Sequence, residues 1–284
     1  MIGAVVYSLG YKMAMNKFNN ILSYNQEKQK MYSVLSDIDY AVRKEYIGDI
    51  DETSLLRGIS AGYIKGLSSD LCQFFTVSEY QMFLNNQKTI RTDVETFKLN
   101  DKIGYIKCFS MGENFSVNFI NAVNAFVSDS CRNIIIDLRK VDYGIEEEAF
   151  KVLQDILPKG DIVWSVDAND KKNVVCRSNS DGLNLNIVVM IDSQTGGLAE
   201  IFAKSLKDCA NAKIVGQKSA GKAVKQKCFN LPDDMILVYP EAHYVSKSGS
   251  QIFNVGITPD LTSNINENSE EDNQLQDAFC CFES

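Results

Sequence analysis

The chain has 284 residues, and the few side chains suited to catalysis narrow its chemistry at once. His243 is the single histidine, so a multi-histidine metal site is excluded and any histidine-dependent reaction has one candidate. Eight cysteines stand at 72, 108, 131, 176, 209, 228, 280 and 281, with no C-x-x-C pair and no zinc-ligand spacing. They read as scattered thiols of a large fold, with Cys108 and Cys228 inside strand-like runs. A couple of His243 with Cys209 or Cys228 has no motif behind it. One lysine stands out: Lys222 closes a glycine-bounded loop (GQKSAGK, 216–222), and Gln226 follows four residues on. Upstream, Ser193 and Thr195 supply hydroxyls in the run Asp192–Glu200 (DSQTGGLAE).

Hydrophobic patterning says what must hold these residues. Residues 16–48 read as a helix, with Met31, Leu35, Ile38 and Val42 spaced 4, 3 and 4 along one stripe. A second helix opens on Asp51–Glu52, runs through Leu55, Leu56, Ile59 and Tyr63, and stops at Gly66. Thr76 or Ser78 caps a short helix ending near Leu84, and residues 85–101 form a polar connector with room for one edge strand. From Lys102 the texture changes to strands alternating with helices. Strands are expected at 103–109, 133–138, 161–166, 173–177, 186–192, 213–216, 225–230 and 235–246. Helices are expected at 115–128, 145–157 and 197–208. This alternation predicts a layered α/β domain. Leu275, Phe279 and Phe282 lie at helical spacing in 272–283, which suggests a docking helix beyond an acidic linker.

The termini and the charge add limits. Ile2–Tyr11 is apolar but Lys12 interrupts it, and ten residues are too few for a bilayer, which takes about 20. Neither a basic leading segment nor a cleavage site accompanies it. Residues 1–15 are therefore either a buried segment or the remnant of a membrane anchor. Net charge is −8, yet no Lys or Arg follows Lys247 while seven acids do. The preceding residues are close to neutral and hold no basic cluster, which argues against a nucleic-acid groove.

Five ordered segments carry a resemblance: 103–107 (IGYIK), 134–139 (IIIDLR), 157–160 (LPKG), 214–222 (IVGQKSAGK) and 242–260 (AHYVSKSGSQIFNVGITPD). With Thr76–Leu84 (TVSEYQMFL), they resemble the C-terminal processing, or tail-specific, protease family over about residues 30–262. The resemblance implies a crotonase/ClpP-like α/β core at 89–262. A helical region (16–88) precedes it, and an acidic linker with a docking helix (263–284) follows. It also implies serine-type peptidase chemistry, with a Ser on a strand-to-helix turn and a Lys as general base. Such a lysine must be desolvated to lose its proton. Lys222 falls on the base and Gln226 on a residue that orients it in some members. No cofactor or metal is implied.

Three departures matter more than the match. The family reads roughly N-x-G-S-A-S-A-S-E where this chain reads DSQTGGLAE, so Gly197 takes the nucleophile position, 25 residues before Lys222 as in the family. The family's N-x-P-G-G oxyanion loop has become Lys140–Val141–Asp142–Tyr143–Gly144, with Gly144 its remnant. An oxyanion donor is typically worth about 2.7–4 kcal/mol of barrier. The PDZ module that captures substrate ends in the family has no room in residues 85–101. The expectation is an inactive member that binds extended peptide or another protein as a scaffold. The alternative is an active serine- or threonine-type endopeptidase using a displaced hydroxyl, Thr195 ahead of Ser193, with Lys222 as base. Ser219 reads as a loop hydroxyl and His243 as structural. The resemblance further implies a bacterial protein outside the cytoplasmic membrane, anchored in the full gene product, with a cytoplasmic setting left open.

Overall fold

Apolar residues at helical spacing, followed by runs alternating in period 2, decide the element order. The computed structural model describes residues 2–67, 69–264 and 272–282, apart from the side chains of 2–14, 16–18, 20, 21 and 88. The acidic linker residues Glu267, Glu270 and Glu271, and Glu283, lie outside this range. Two compact units result, Met1–Arg57 and Gly58–Ser284.

The first unit is dominated by α1 (Ile2–Glu45), which runs unbroken through the apolar stretch that the sequence set apart as residues 1–15. No glycine–proline break interrupts it, and Arg43 and Lys44 favour its last turn by complementing the helix dipole. Among the described residues, no helix is long and apolar enough to cross a membrane. Asp51 then caps α2 (Glu52–Gly66), its Oδ1 accepting the N–H groups of Thr53 and Ser54 at 3.1 and 3.3 Å.

The second unit begins with β1 (Gln73–Thr76), a short strand not foreseen, and α3 (Val77–Lys88), which extends past the expected end at Leu84. Thr76 and Glu79 form a capping box at its start. Five residues then lead to β2 (Val94–Lys98) and β3 (Ile103–Cys108). The chain continues as α4 (Phe115–Ser128), β4 (Asn133–Asp137), α5 (Glu146–Ile156), β5 (Gly160–Asp167), β6 (Lys172–Ser178), β7 (Asn186–Ile191), α6 (Leu198–Ala210) and β8 (Lys213–Gly216). It ends with β9 (Val224–Leu231), β10 (Met235–Ser246), β11 (Leu261–Thr262) and α7 (Asn273–Cys280).

A six-stranded sheet, ordered β11-β8-β7-β4-β3-β2, is parallel except where β2 joins β3 antiparallel. Its inner strands are apolar on both faces because both are covered. Ile134, Ile136, Val189 and Ile191 face the main core with Phe119 and Phe202, while Ile135, Val188 and Met190 face the opposite side. There Leu275, Ala278, Phe279 and Phe282 of the C-terminal segment cover them. The second sheet is antiparallel, ordered β1-β10-β5-β6, with β9 also paired to β10.

Candidate functional site

The site grows from the N-terminus of α6. Gly197 caps this helix at φ 59° and ψ −124°, a region costly for any residue with a side chain. Three residues on, Glu200 is fully buried and reaches back to the Gly197 N–H, half of a capping box. The same carboxylate accepts the N–H groups of Gly221 and Lys222, both at 2.6 Å, and the Ser219 hydroxyl at 2.5 Å. Burial pushes the Glu200 carboxyl above its ordinary value, and these hydrogen bonds pull against that. Ser219 Oγ in turn accepts the Ile257 N–H at 2.7 Å. One buried carboxylate thus fixes the loop carrying Lys222 against the turn carrying Gly197.

A second set of bonds holds the loop after β4. Thr195 Oγ1 donates to the Leu138 carbonyl at 2.9 Å, Asp192 Oδ1 accepts the Lys140 N–H at 3.0 Å, and Gly196 N–H donates to the Val141 carbonyl at 2.9 Å. Beyond them, Met111 N–H bonds to the Tyr143 carbonyl and Ile145 N–H to the Met111 carbonyl, at 2.9 and 2.8 Å. Gly144 sits between those two bonds in a parallel bridge. A Cβ there would lie 2.9 Å from Met111 Cβ, so close packing keeps this position glycine.

These loops enclose a cavity of about 460 Å³, with Tyr143, Gly144 and Gly197 on one wall and Lys222 and Gln226 on another. Leu71, Phe83 and Gln87, from the segment around β1 and α3, close the third. Of the residues singled out from sequence, Gly144, Gly197, Lys222 and Gln226 therefore meet at one place. Lys222 is exposed and so lacks the burial that a lysine base requires. Gln226 donates to the Leu71 carbonyl at 3.3 Å, and it has no hydrogen bond to Lys222 among the described residues. Tyr143 is half-buried, and that burial, with Glu113 adding, raises its phenol above the ordinary value.

Thr195 is not on this wall. It is fully buried, its hydroxyl donating to Leu138 and accepting the Asp192 N–H at 2.9 Å, which removes the freedom a displaced nucleophile needs. Ser193 is exposed and outside the cavity lining. The His243 ring stacks on Phe253 at 6.3 Å, while Cys228 Sγ lies 2.8 Å from the Tyr80 hydroxyl, so neither supports a Cys–His couple. Two features escaped the sequence reading. Glu200 appeared there only as the last residue of the DSQTGGLAE run, although its place three residues after the cap is the spacing of a capping box. The Tyr244 hydroxyl bonds to Glu146 across 98 positions, and no local signal announces that pair.

In this α/β core the strand-to-helix turn before α6 and the loop bearing Lys222 line one cleft. The Peptidase family S41 model matches residues 102–263, more than half of the chain, and the chain belongs to that family. A probable CtpA-like serine protease of Staphylococcus aureus is 27% identical over 169 residues, 58% of this chain and 34% of that protein. The chain thus spans about a third of the length of the curated relatives it matches. Among solved structures, a lipoprotein from Streptococcus agalactiae superposes with TM-score 0.67 at 19% identity, covering 82% of this chain and 83% of that one. The photosystem II D1 C-terminal processing protease gives 0.54 at 18%, covering 69% and 48%. The crotonase/ClpP-like core of the C-terminal processing type is thereby established, with a helical segment before it.

Proposed function

We propose that this chain is a catalytically silent member of the family that binds extended peptide, or an unfolded segment of another protein, in the cleft between Gly197 and Lys222. One observation carries the reading: the residue at the α6 cap, facing the cleft, has no side chain and so no nucleophile. The committed hydroxyl of Thr195 counts against a displaced one. β9 pairs only with β10 among the described strands, and its Val224, Lys225 and Gln226 line the cleft. Its open edge supports peptide capture by strand addition. The proposed setting is outside the cytoplasmic membrane of a bacterium, tethered to it, as the family resemblance implies.

The test is peptide hydrolysis by the parent chain beside Gly197→Ser and Lys222→Ala. The expected result is no turnover by the parent. Turnover that disappears with Lys222→Ala overturns the reading.

A further inference from the structure

We propose that the second half of α1 pairs with the same segment of a second copy of this chain, as a parallel two-stranded coiled coil in which Lys28 of each copy meets Glu27 of the other. This goes beyond the peptide-binding reading and does not rest on it.

The spacing comes first. Met31, Leu35, Ile38 and Val42 repeat at 4, 3 and 4, and Tyr24 and Lys28 carry the same alternation back toward the N-terminus. A mean step of 3.5 is the heptad seam of helices that coil about each other, where a helix lying on a globular core shows 3.6 and a wider stripe. Lys28, Leu35 and Val42 take one core position of the heptad, and Tyr24, Met31 and Ile38 take the other. From Tyr24 to Val42 the seam runs about 27 Å at 1.5 Å per residue.

The structure leaves this seam uncovered. Ile38 and Val42 are 55% and 40% exposed, and Met31 and Leu35 are half-buried. Tyr32 and Val34, which flank the seam, are 54% and 50% exposed. No described side chain of α1 is buried. Helices in proteins draw most of their stability from packing one face, so an apolar stripe of this length calls for a partner of the same period.

Charge selects that partner. Lys28 interrupts the seam, and it cannot turn to its own Glu27, because adjacent helical residues do not face each other. The positions three and four away hold Tyr24, Asn25, Met31 and Tyr32, none of them acidic. The ammonium lies over the Tyr32 ring at 5.8 Å and has no carboxylate partner among the described residues. In a parallel pair, a core side chain packs into a hole bordered by the partner residue that precedes the matching core position. For Lys28 that residue is the partner's Glu27, and the two-fold axis makes the same contact twice. Reversing one helix loses the match. A single lysine at a core position also fixes register and strand number. On the other flank, Asp39 is already answered within the helix by Arg43 at 2.7 Å.

The experiment measures the mass of the full chain by light scattering after size exclusion, and its self-association constant by sedimentation equilibrium. A dimer is expected, at twice the 31.8 kDa of one chain. Leu35→Asp combined with Ile38→Asp should give a monomer whose core melts as in the parent. Tyr40→Asp, on the side of α1 opposite the seam, should leave the dimer intact. Lys28→Glu should raise the dissociation constant by about tenfold or more, since it sets like charges together. Adding Glu27→Lys to it should restore most of the loss, a rescue that helix propensity alone does not give. A monomeric parent overturns the inference, and so does a dimer that survives the paired aspartates. A trimer or tetramer overturns the two-stranded assignment, and failure of the charge swap to rescue overturns the parallel register.

Discussion

The Glu200 carboxylate holds the main chain of Lys222: Oε2 accepts its N–H at 2.6 Å, while Oε1 takes the Gly221 N–H at the same distance. The placing of Lys222 opposite Gly197 thus depends on a residue that never faces the cleft. Glu200→Ala strands several buried donors at once, each worth about 1–3 kcal/mol when left unmade. A loss above about 3 kcal/mol in urea unfolding is expected, and a loss below about 1 kcal/mol would refute the role. The pH dependence has a definite sign. Because the folded carboxyl sits above its ordinary value of 4.5, its protonation favours the folded state. That contribution is full below 4.5 and disappears as pH rises through the folded value. Stability of the parent relative to Glu200→Gln should therefore fall as pH rises above 4.5.

Gly197→Ser tests the cap itself. The new side chain has room, but a residue at φ 59° and ψ −124° carries strain of roughly 1–3 kcal/mol. The variant should fold and melt a few degrees lower, since 1 kcal/mol moves a domain of this size by about 2–4 °C. An unchanged melting temperature would show that the turn relaxes to accommodate the serine.

Much of this could be read from residues alone. The buried strands of the parallel sheet are short apolar runs with turn residues at their ends, and α4 and α6 carry apolar stripes of period 3.6. β1 was missed because four residues, QFFT, give no alternation long enough to count, and pairing with the distant β10, from Gln73 with Val238 to Thr76 with Met235, makes it a strand. The helix of the N-terminal region starts at Ile2 and not at residue 16, because a lysine at position 12 interrupts hydrophobicity without breaking a helix. The meeting of Gly197 with Lys222 was legible only through family spacing. What fixes that meeting, the Glu200 hub, is a tertiary arrangement that propensity cannot express.

The wall carrying Gln87 depends on how α3 begins. Thr76 Oγ1 accepts the Glu79 N–H at 3.2 Å and Glu79 Oε2 accepts the Thr76 N–H at 2.7 Å. Thr76→Ala removes one half of this box and should cost about 1 kcal/mol. Faster amide exchange in 77–83, with α6 unaffected, is the expected signature. Exchange that rises equally in both helices would mean global destabilisation and no local role for the cap.

Acid should release the C-terminal helix before the core opens. Arg139, only 15% exposed at its side chain, bridges Asp137 and Asp272 at 2.6 Å each, and its Nη1 reaches Gln274 at 3.0 Å. Asp137 is itself buried and also accepts the Tyr105 hydroxyl at 2.6 Å. Burial tends to raise the Asp272 carboxyl, but its bonds to Arg139 and to the first turn of α7 outweigh this and hold it below 3.8. Its contribution is therefore complete above pH 3.8 and lost as pH falls through the lower folded value. Asp272→Asn should reproduce the acid effect at neutral pH, speeding amide exchange across 273–280 while β7 stays protected. Arg139→Met is a harsher change, because it leaves the buried Asp137 without its cation at a cost of about 3–5 kcal/mol. If Asp272→Asn leaves exchange in 273–280 unchanged at pH 7, apolar packing of Leu275, Phe279 and Phe282 alone holds the helix and the ionic clamp is dispensable.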